Sequence, residues 1–494
     1  RGVDRRRGGL PPRVNRTFAG ALKANPRNIA GRGASVTAFD SAIAANRFGL
    51  GARPGDLARI GDHSREYLQQ QLREPAPLLR DALPASHELL AKVLAERAAR
   101  REPAGTQPSA VQVARTVRET YLPAYVAEVG ARARAATTRQ ADFLERLVHF
   151  WSNHFAVSVD KIAVLGLAGA MEREAIRPHV LGNFGDMLLA VEQHPAMLLY
   201  LDNHISIGPD SQAARIAGAR GREIGLNENL GREILELHTL GVEGGYTQAD
   251  VQSLAALITG WSVGGEAGRL RGGEPGKFFF RAAFHQPGAR QLMGRNYAEG
   301  GVEQGSRALR DLALHPRTAA HIAGKLARHF VADEPSPALV ARLQKAYLDA
   351  GGDLTALYAA LIASPEAWQS PLAKFKTPAD YVYSTYRALE LPFGSRMADL
   401  RVFELLGQRT FQPGSPAGWP DRGADWDGSA ALLKRLEWAQ ELGQRLGSAR
   451  DAAQLAEGCL GGALSGATRM GIQRAQDGAQ ALTLLLAAPE FMRR

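Results

Sequence analysis

The stretch LNENLGREILELHTLG, residues 226–241, decides how this chain is read. Asn227 offers a side-chain oxygen where a helix would begin, an acidic group follows it, and Gly241 is the residue type best able to end a helix in a left-handed conformation. A helix over about 228–240 is predicted. On it Glu228, Arg232 and Glu236 fall at i, i+4 and i+8, while Asn229, Glu233 and Glu236 fall at i, i+4 and i+7. Leu230, Ile234 and Leu237 form the apolar stripe, with His238 beside it.

The same three- and four-residue spacing recurs over Pro84 to Arg101, Val111 to Arg132, Arg139 to Phe150, Glu172 to His194 and Ala338 to Ala350. Strand-like character is confined to Lys277 to Phe284, where a short hairpin or an extended loop fits. The predicted fold class is therefore all-α: a single large multi-helix body over residues 38–494, with long Gly-rich loops at 208–225, 264–276 and 414–428 and at most a small β-hairpin. Residues 1–37 read as a basic leader or linker.

Composition agrees with a globular body. The 494 residues are 45% hydrophobic and 22% charged, enough for a large core. Apolar runs such as Ala196 to Leu201 fall far short of the roughly 18–20 residues of a bilayer span, so no membrane span is expected. The net charge of +10 looks like a nucleic-acid signal, but residues 1–35 hold nine Arg or Lys against Asp4, which is +8, leaving +2 for the other 459. A solvated leader accounts for it, and no nucleic-acid partner is expected. Cys459 is the only cysteine, which rules out an intrachain disulfide framework and a thiolate metal cluster. No phosphate-binding P-loop, dinucleotide-binding glycine fingerprint or His-Glu-x-x-His zinc motif is present.

Four polar clusters could carry chemistry. The helix above contributes Glu228, Arg232, Glu233, Glu236 and His238, with Asn227 at its start. A second cluster holds Trp151, Asn153 and His154, and a third runs from Glu192 and His194 to Asp202 and Asn203. The fourth places His321, Lys325 and His329 at i, i+4 and i+8 with Arg328 beside them, a basic face suited to an anionic group. Trp261, His285 and Trp419 lie in or beside the Gly-rich loops, and flat rings among Asn, Glu, Arg and His suit sugar faces and hydroxyls. On the first helix His238 is two and five residues from Glu236 and Glu233. Those spacings do not converge on one metal ion from a regular helix.

Six ordered strings, Phe150 to Phe155, His194 to Asp202, Asn227 to Gly241, Tyr246 to Val251, Thr259 to Trp261 and Gly418 to Pro420, resemble the bacterial family called the domain of unknown function numbered 1800. The likeness covers about residues 38–494. It implies a helical protein, frequent export to the periplasm or outside the cell, and a gene neighbour of the sulfatase and alkaline-phosphatase superfamily. It supplies no catalytic residues.

The reading drawn from residues and resemblance together is an exported hydrolase, periplasmic or secreted, acting on a glycan or similar polar polymer by carboxylate acid/base chemistry. Glu228, Glu233 and Glu236 would be catalytic with Arg232 and His238 orienting them. Trp151, Asn153, His154, Asp202, Asn203, Asn227, Trp261, His285, Lys325, Arg328 and Trp419 would bind substrate. No cofactor is predicted, with a divalent metal left open. One alternative is a metal-dependent enzyme with ligands from several helices, drawn from His154, His194, His238, His285 or His329 plus a Glu or Asp. The other is a non-catalytic scaffold that binds a sulfatase-like partner.

Overall fold

A computed structural model describes residues 36–99, 109–221, 225–265, 272–394 and 396–494. The basic stretch 1–37 lies outside the described residues except for its last two positions. The fold is all-α, 61% helical, and among the described residues the sheets are two antiparallel pairs of three-residue strands. β1 (Trp261–Val263) pairs with β2 (Phe278–Phe280), so of the segment 277–284 expected to be extended or a hairpin only 278–280 is strand, its partner lies outside the segment, and Ala282–Phe284 is a 3-10 turn. A second pair, β3 (Arg290–Leu292) and β4 (Arg295–Tyr297), is joined through Met293 and Gly294, both at positive φ as a tight hairpin turn requires.

The helices that position the site are α1 (Asp142–His154), α2 (Phe184–Glu192), α3 (Asn229–Glu233), α4 (Pro316–Phe330) and α5 (Pro378–Ala388). α4 shows why they form and how they pack. Proline at its first position costs no hydrogen bond there, and His315 Nδ1 accepts from Arg317 N at 3.2 Å. Ala319, Ile322, Ala323, Leu326, Ala327 and Phe330 then face the core, fully buried, while His321, Lys325, Arg328 and His329 occupy the flank. One apolar cluster runs from Ile43 to Met492, with Phe48, Phe143 and Phe330 edge to face or tilted at 5.6–5.9 Å. No helix among the described residues is long and apolar enough to cross a membrane.

Three predicted helices change on folding, and the first, Val111 to Arg132, is interrupted by a π turn over Val117–Tyr121. The stretch 172–194 is broken into Glu172–Ile176, Arg177–His179 and α2, because Pro178 cannot donate to a continuing helix and Asn183 caps a new one by accepting from Gly185 N at 2.8 Å. The helix of 228–240 runs as α3 for five residues and then as a π turn over Ile234–His238. Asn227 Oδ1 accepts from Asn229 N at 2.9 Å, while Thr239 Oγ1 donates to Ile234 O at 2.6 Å and closes the widened turn.

Buried guanidinium groups tie distant segments together. Arg177 lies between Glu145 (3.0 Å) and Glu172 (2.9 Å), and Arg139 (3.2 Å) and Arg132 (2.9 Å) pair with the same two carboxylates. Arg387 pairs with Asp142 at 2.9 Å and donates to the carbonyls of Gly51 and Arg139. Removing one member leaves a buried charge without its counter-ion, which typically costs about 3–5 kcal/mol. Arg177→Met is expected to lower the unfolding free energy by that amount in a denaturant titration at pH 7. A loss under about 1 kcal/mol would mean that Arg132 and Arg139 alone suffice to compensate Glu172 and Glu145.

Candidate functional site

α1 presents Arg146, His149 and Asn153 at i, i+3 and i+7 on one stripe, with Phe150 and His154 on the next. α4 brings His321, Lys325, Arg328 and His329 against that side, and the loop 408–421 closes over the end. Asn153 fastens the loop: its Oδ1 accepts from Trp419 N at 2.7 Å and its Nδ2 donates to Trp419 O at 2.9 Å. Gly418 permits the approach, since it sits at φ +82° and a Cβ there would lie 2.3 Å from Asn153 O.

Two small cavities adjoin along this seam and share Asn153, His329 and Asp421. The larger, about 90 Å³, also meets Arg132, His149, Asp380 and Trp419. The smaller, about 50 Å³, also meets Phe150, His154, Lys325 and Arg328. At roughly 10–15 Å³ for a water, these spaces hold a few waters or one small polar group.

The charges between the cavities form a chain. Arg494 joins Asp380 (Nε to Oδ2, 2.8 Å) to Asp421 (Nη2 to Oδ1, 3.6 Å) and donates to His329 O at 2.6 Å. Arg146 Nη1 holds the other oxygen of Asp380 at 3.0 Å, and His329 Nδ1 lies 3.2 Å from Asp421 Oδ1. Burial pushes the Asp421 carboxyl up, but His329, Lys374 and Arg494 pull harder and leave it at about 2. Burial lowers the His329 imidazole to about 4 against the pull of Asp421, with Arg494 and Arg146 adding to the fall. Near neutral pH the site therefore holds a neutral His329 beside an ionised Asp421. The Nε2 of His329 and of His149, and Trp419 Nε1, are buried without a hydrogen-bond partner. Burial lowers the Lys325 amine to about 8, opposed by Asp421 and assisted by Arg328.

Of the residues expected to bind substrate, Asn153, His154, Lys325, Arg328 and Trp419 meet at these cavities. Trp151 is core, its Nε1 donating to Tyr358 OH at 2.5 Å. Asn203 is buried, donating to Ile258 O and Trp261 O, and Trp261 is buried in β1. His285 is fixed between Thr259 O (3.0 Å) and Gln304 Oε1 (3.1 Å). Asp202 pairs with Lys161 at 2.7 Å, and Asn227 Nδ2 reaches Leu201 O.

The α3 cluster lies apart from the two cavities. Glu228 accepts from Arg232 (3.1 Å) and Gln248 (2.7 Å), and Glu236 accepts from Tyr246 OH at 3.2 Å. Glu233 is half-buried, which raises its carboxyl above the usual range, while Gln248 heads the groups that lower Glu228. His238 is buried against Glu192, Nδ1 to Oε1 at 2.7 Å. His154 links the two regions, its Nε2–H donating to His238 O at 3.1 Å.

Sequence reasoning missed Asp380, Asp421, His149 and Arg132 as site residues. Asp421 directly follows the Gly-Trp-Pro string, which was a usable signal. It also passed over Gly260-Trp261-Ser262-Val263-Gly264, which has the spacing of a hydrolase nucleophile elbow. Ser262 is buried in β1, its Oγ donating to His204 O (2.8 Å) and accepting from Arg281 Nε (2.9 Å), which is a structural role. Among the described residues no group of three His, Cys, Asp or Glu is placed to hold a metal ion.

The buried histidines make the fold sensitive to acid. His321 and His329 sit at about 4 against an ordinary 6.5, and burial holds His149 and His154 well below it. The unfolded chain thus takes up protons from pH 6.5 downward while the native state does not. Stability is full above pH 6.5 and lost as pH falls towards 4, by about 3 kcal/mol for each of His321 and His329. Tryptophan fluorescence against pH is expected to show unfolding within that window. His321→Gln should lose less unfolding free energy than the parent between pH 6.5 and 4.5.

No curated protein and no solved structure matches the chain. A family model described as a protein of unknown function, DUF1800, matches residues 43–493, and the chain belongs to that family.

Proposed function

We propose that the chain is an exported hydrolase of a polar substrate, working by acid/base chemistry at His329 where the two cavities meet. One observation carries the reading. Of three histidine–carboxylate pairs among the described residues, His194–Glu174 (3.1 Å), His238–Glu192 (2.7 Å) and His329–Asp421 (3.2 Å), the last borders both cavities. Asp421 holds the Nδ1 side and leaves Nε2 as the lone-pair nitrogen, the arrangement that makes imidazole a base. Nε2 takes a proton from water, the water oxygen bonds to the electrophilic centre of the substrate, and the departing oxygen takes a proton from Lys325 Nζ. A cavity of this size admits one small group, so a polymer would present a terminal or pendant group rather than a run of rings. Export and a sulfatase-like partner belong to the same proposal, supported by the family resemblance.

A second reading places the centre on α3. Glu233 is raised and Glu228 lowered, the opposed shifts of an acid and a base. The variants separate the two.

The test is turnover of a panel of 4-nitrophenyl acetate, phosphate, sulfate and glycosides. His329→Gln is expected to lower kcat/KM at least about 100-fold, the usual scale of a lost acid/base group, with Glu233→Gln near the parent. The reverse pattern would move the centre to α3. Activity needs His329 neutral and Lys325 charged, so kcat/KM should rise through about pH 4 and fall through about 8. The groups setting those limbs are Asp421, Arg494 and Arg146 around His329, and Asp421 and Arg328 around Lys325. Lys325→Arg should lower kcat and flatten the alkaline limb, because a guanidinium keeps its proton. Absence of turnover across the panel would favour the scaffold.

A further inference from the structure

Lys325 and Arg328 differ from every other deeply placed cation described above. They lie at i, i+3 on α4 and both line the smaller cavity. Arg146, Arg177, Arg387 and Arg494 each have a carboxylate within 3.0 Å, and Lys374 Nζ reaches Asp333 at 2.5 Å. No ion pair is formed by Lys325 or Arg328 among the described residues, and Arg328 Nε is buried without a hydrogen-bond partner. Asp421 also borders this cavity, but its charge is engaged by His329, Arg494 and, at 3.9 Å, Lys374. Two partly buried cations side by side face a cavity large enough for a small group, and neither has a carboxylate within ion-pair distance among the described residues. A guanidinium and an ammonium together supply a planar donor fork and a point charge, the pair that recognises oxygen atoms of an anion.

We propose that Lys325 and Arg328 seat a small oxyanion, a sulfate, phosphate or carboxylate group carried by the substrate. The proposal rests on the hydrolase reading for the fate of that group and not for its binding. The neighbouring Asn153 cannot compete for the anion, because both ends of its amide are spent on Trp419.

Calorimetric titration of the full chain with sodium sulfate, phosphate and acetate, at ionic strength fixed with sodium chloride, tests it. At least one oxyanion is expected to bind, and Lys325→Met and Arg328→Met are each expected to weaken it at least about tenfold. Arg310→Gln, on the exposed face beside Glu303, should change nothing. Glucose 6-sulfate, glucose 6-phosphate and glucuronic acid against glucose distinguish a pendant group from a free ion. Should Lys325→Met fail to fold, selenate soaked into crystals of the parent protein should give an anomalous peak within hydrogen-bond distance of Lys325 Nζ and Arg328. Binding no tighter than chloride, binding that survives both variants, or selenate absent from this position overturns the proposal. Binding without turnover leaves the anion seat standing and removes the hydrolase; turnover without binding does the reverse.

Discussion

Burial of arginine against acceptors from distant segments is the constraint on which this fold depends. Its helices are mostly short, and several end in π or 3-10 turns, so few are held by their own length. Guanidinium groups do the joining. Arg47 donates to Ala367 O and Gln369 O, Arg146 to Gly49 O and Asp380, Arg435 to Lys376 O, and Arg494 to His329 O and Asp380. Each of these spans tens to hundreds of residues. Because a buried charge is costly without acceptors, each arginine fixes the relative position of the segments that supply them. The backbone pairing of Lys374 with Arg494 adds to this, drawing the segment 374–376 onto 492–494.

That constraint explains what could be read in the sequence and what could not. Helical spacing carries local information, so the class and the spans near 86–99, 142–154 and 337–349 were legible from apolar periodicity. The same periodicity failed at 172–194, where Pro178 and Asn183 stand among good helix formers, and at Ile234–His238, where a π turn displaces every later side chain from its expected face. Charged residues were harder still. Arg and Glu in a helical pattern read as solvent-facing or catalytic, whereas Arg177, Glu145 and Arg387 lie inside.

The candidate site was half legible for the same reason. Lys325, Arg328 and His329 announce themselves by lying on one face of one helix. Asp421, which gives His329 its orientation, lies 92 residues away, and Asp380 and Arg146 are separated by 234. No spacing rule reaches that far. The α3 cluster shows the converse: Glu228 and Arg232 are one turn apart and satisfy each other, with Gln248 from the start of the helix Gln248–Leu257 bonding both.

Uncompensated polarity is then the most informative property of the cavity walls. Arg146, Arg387 and Arg494 each meet a carboxylate, whereas Lys325 and Arg328 form no ion pair among the described residues and face a cavity. Replacing those groups by apolar residues of similar shape would remove a desolvation cost and leave the helices α1 and α4 in contact. Buried polar atoms without a partner occur elsewhere too, at Arg47 Nε, Gln71 Nε2 and Arg435 Nη1, so it is the open space beside His149, His329 and Arg328 that marks this place. The loop 408–421 supports that view. Its clamp on Asn153 uses both ends of an amide and a glycine at positive φ to close a polar hollow that apolar packing would have filled more simply.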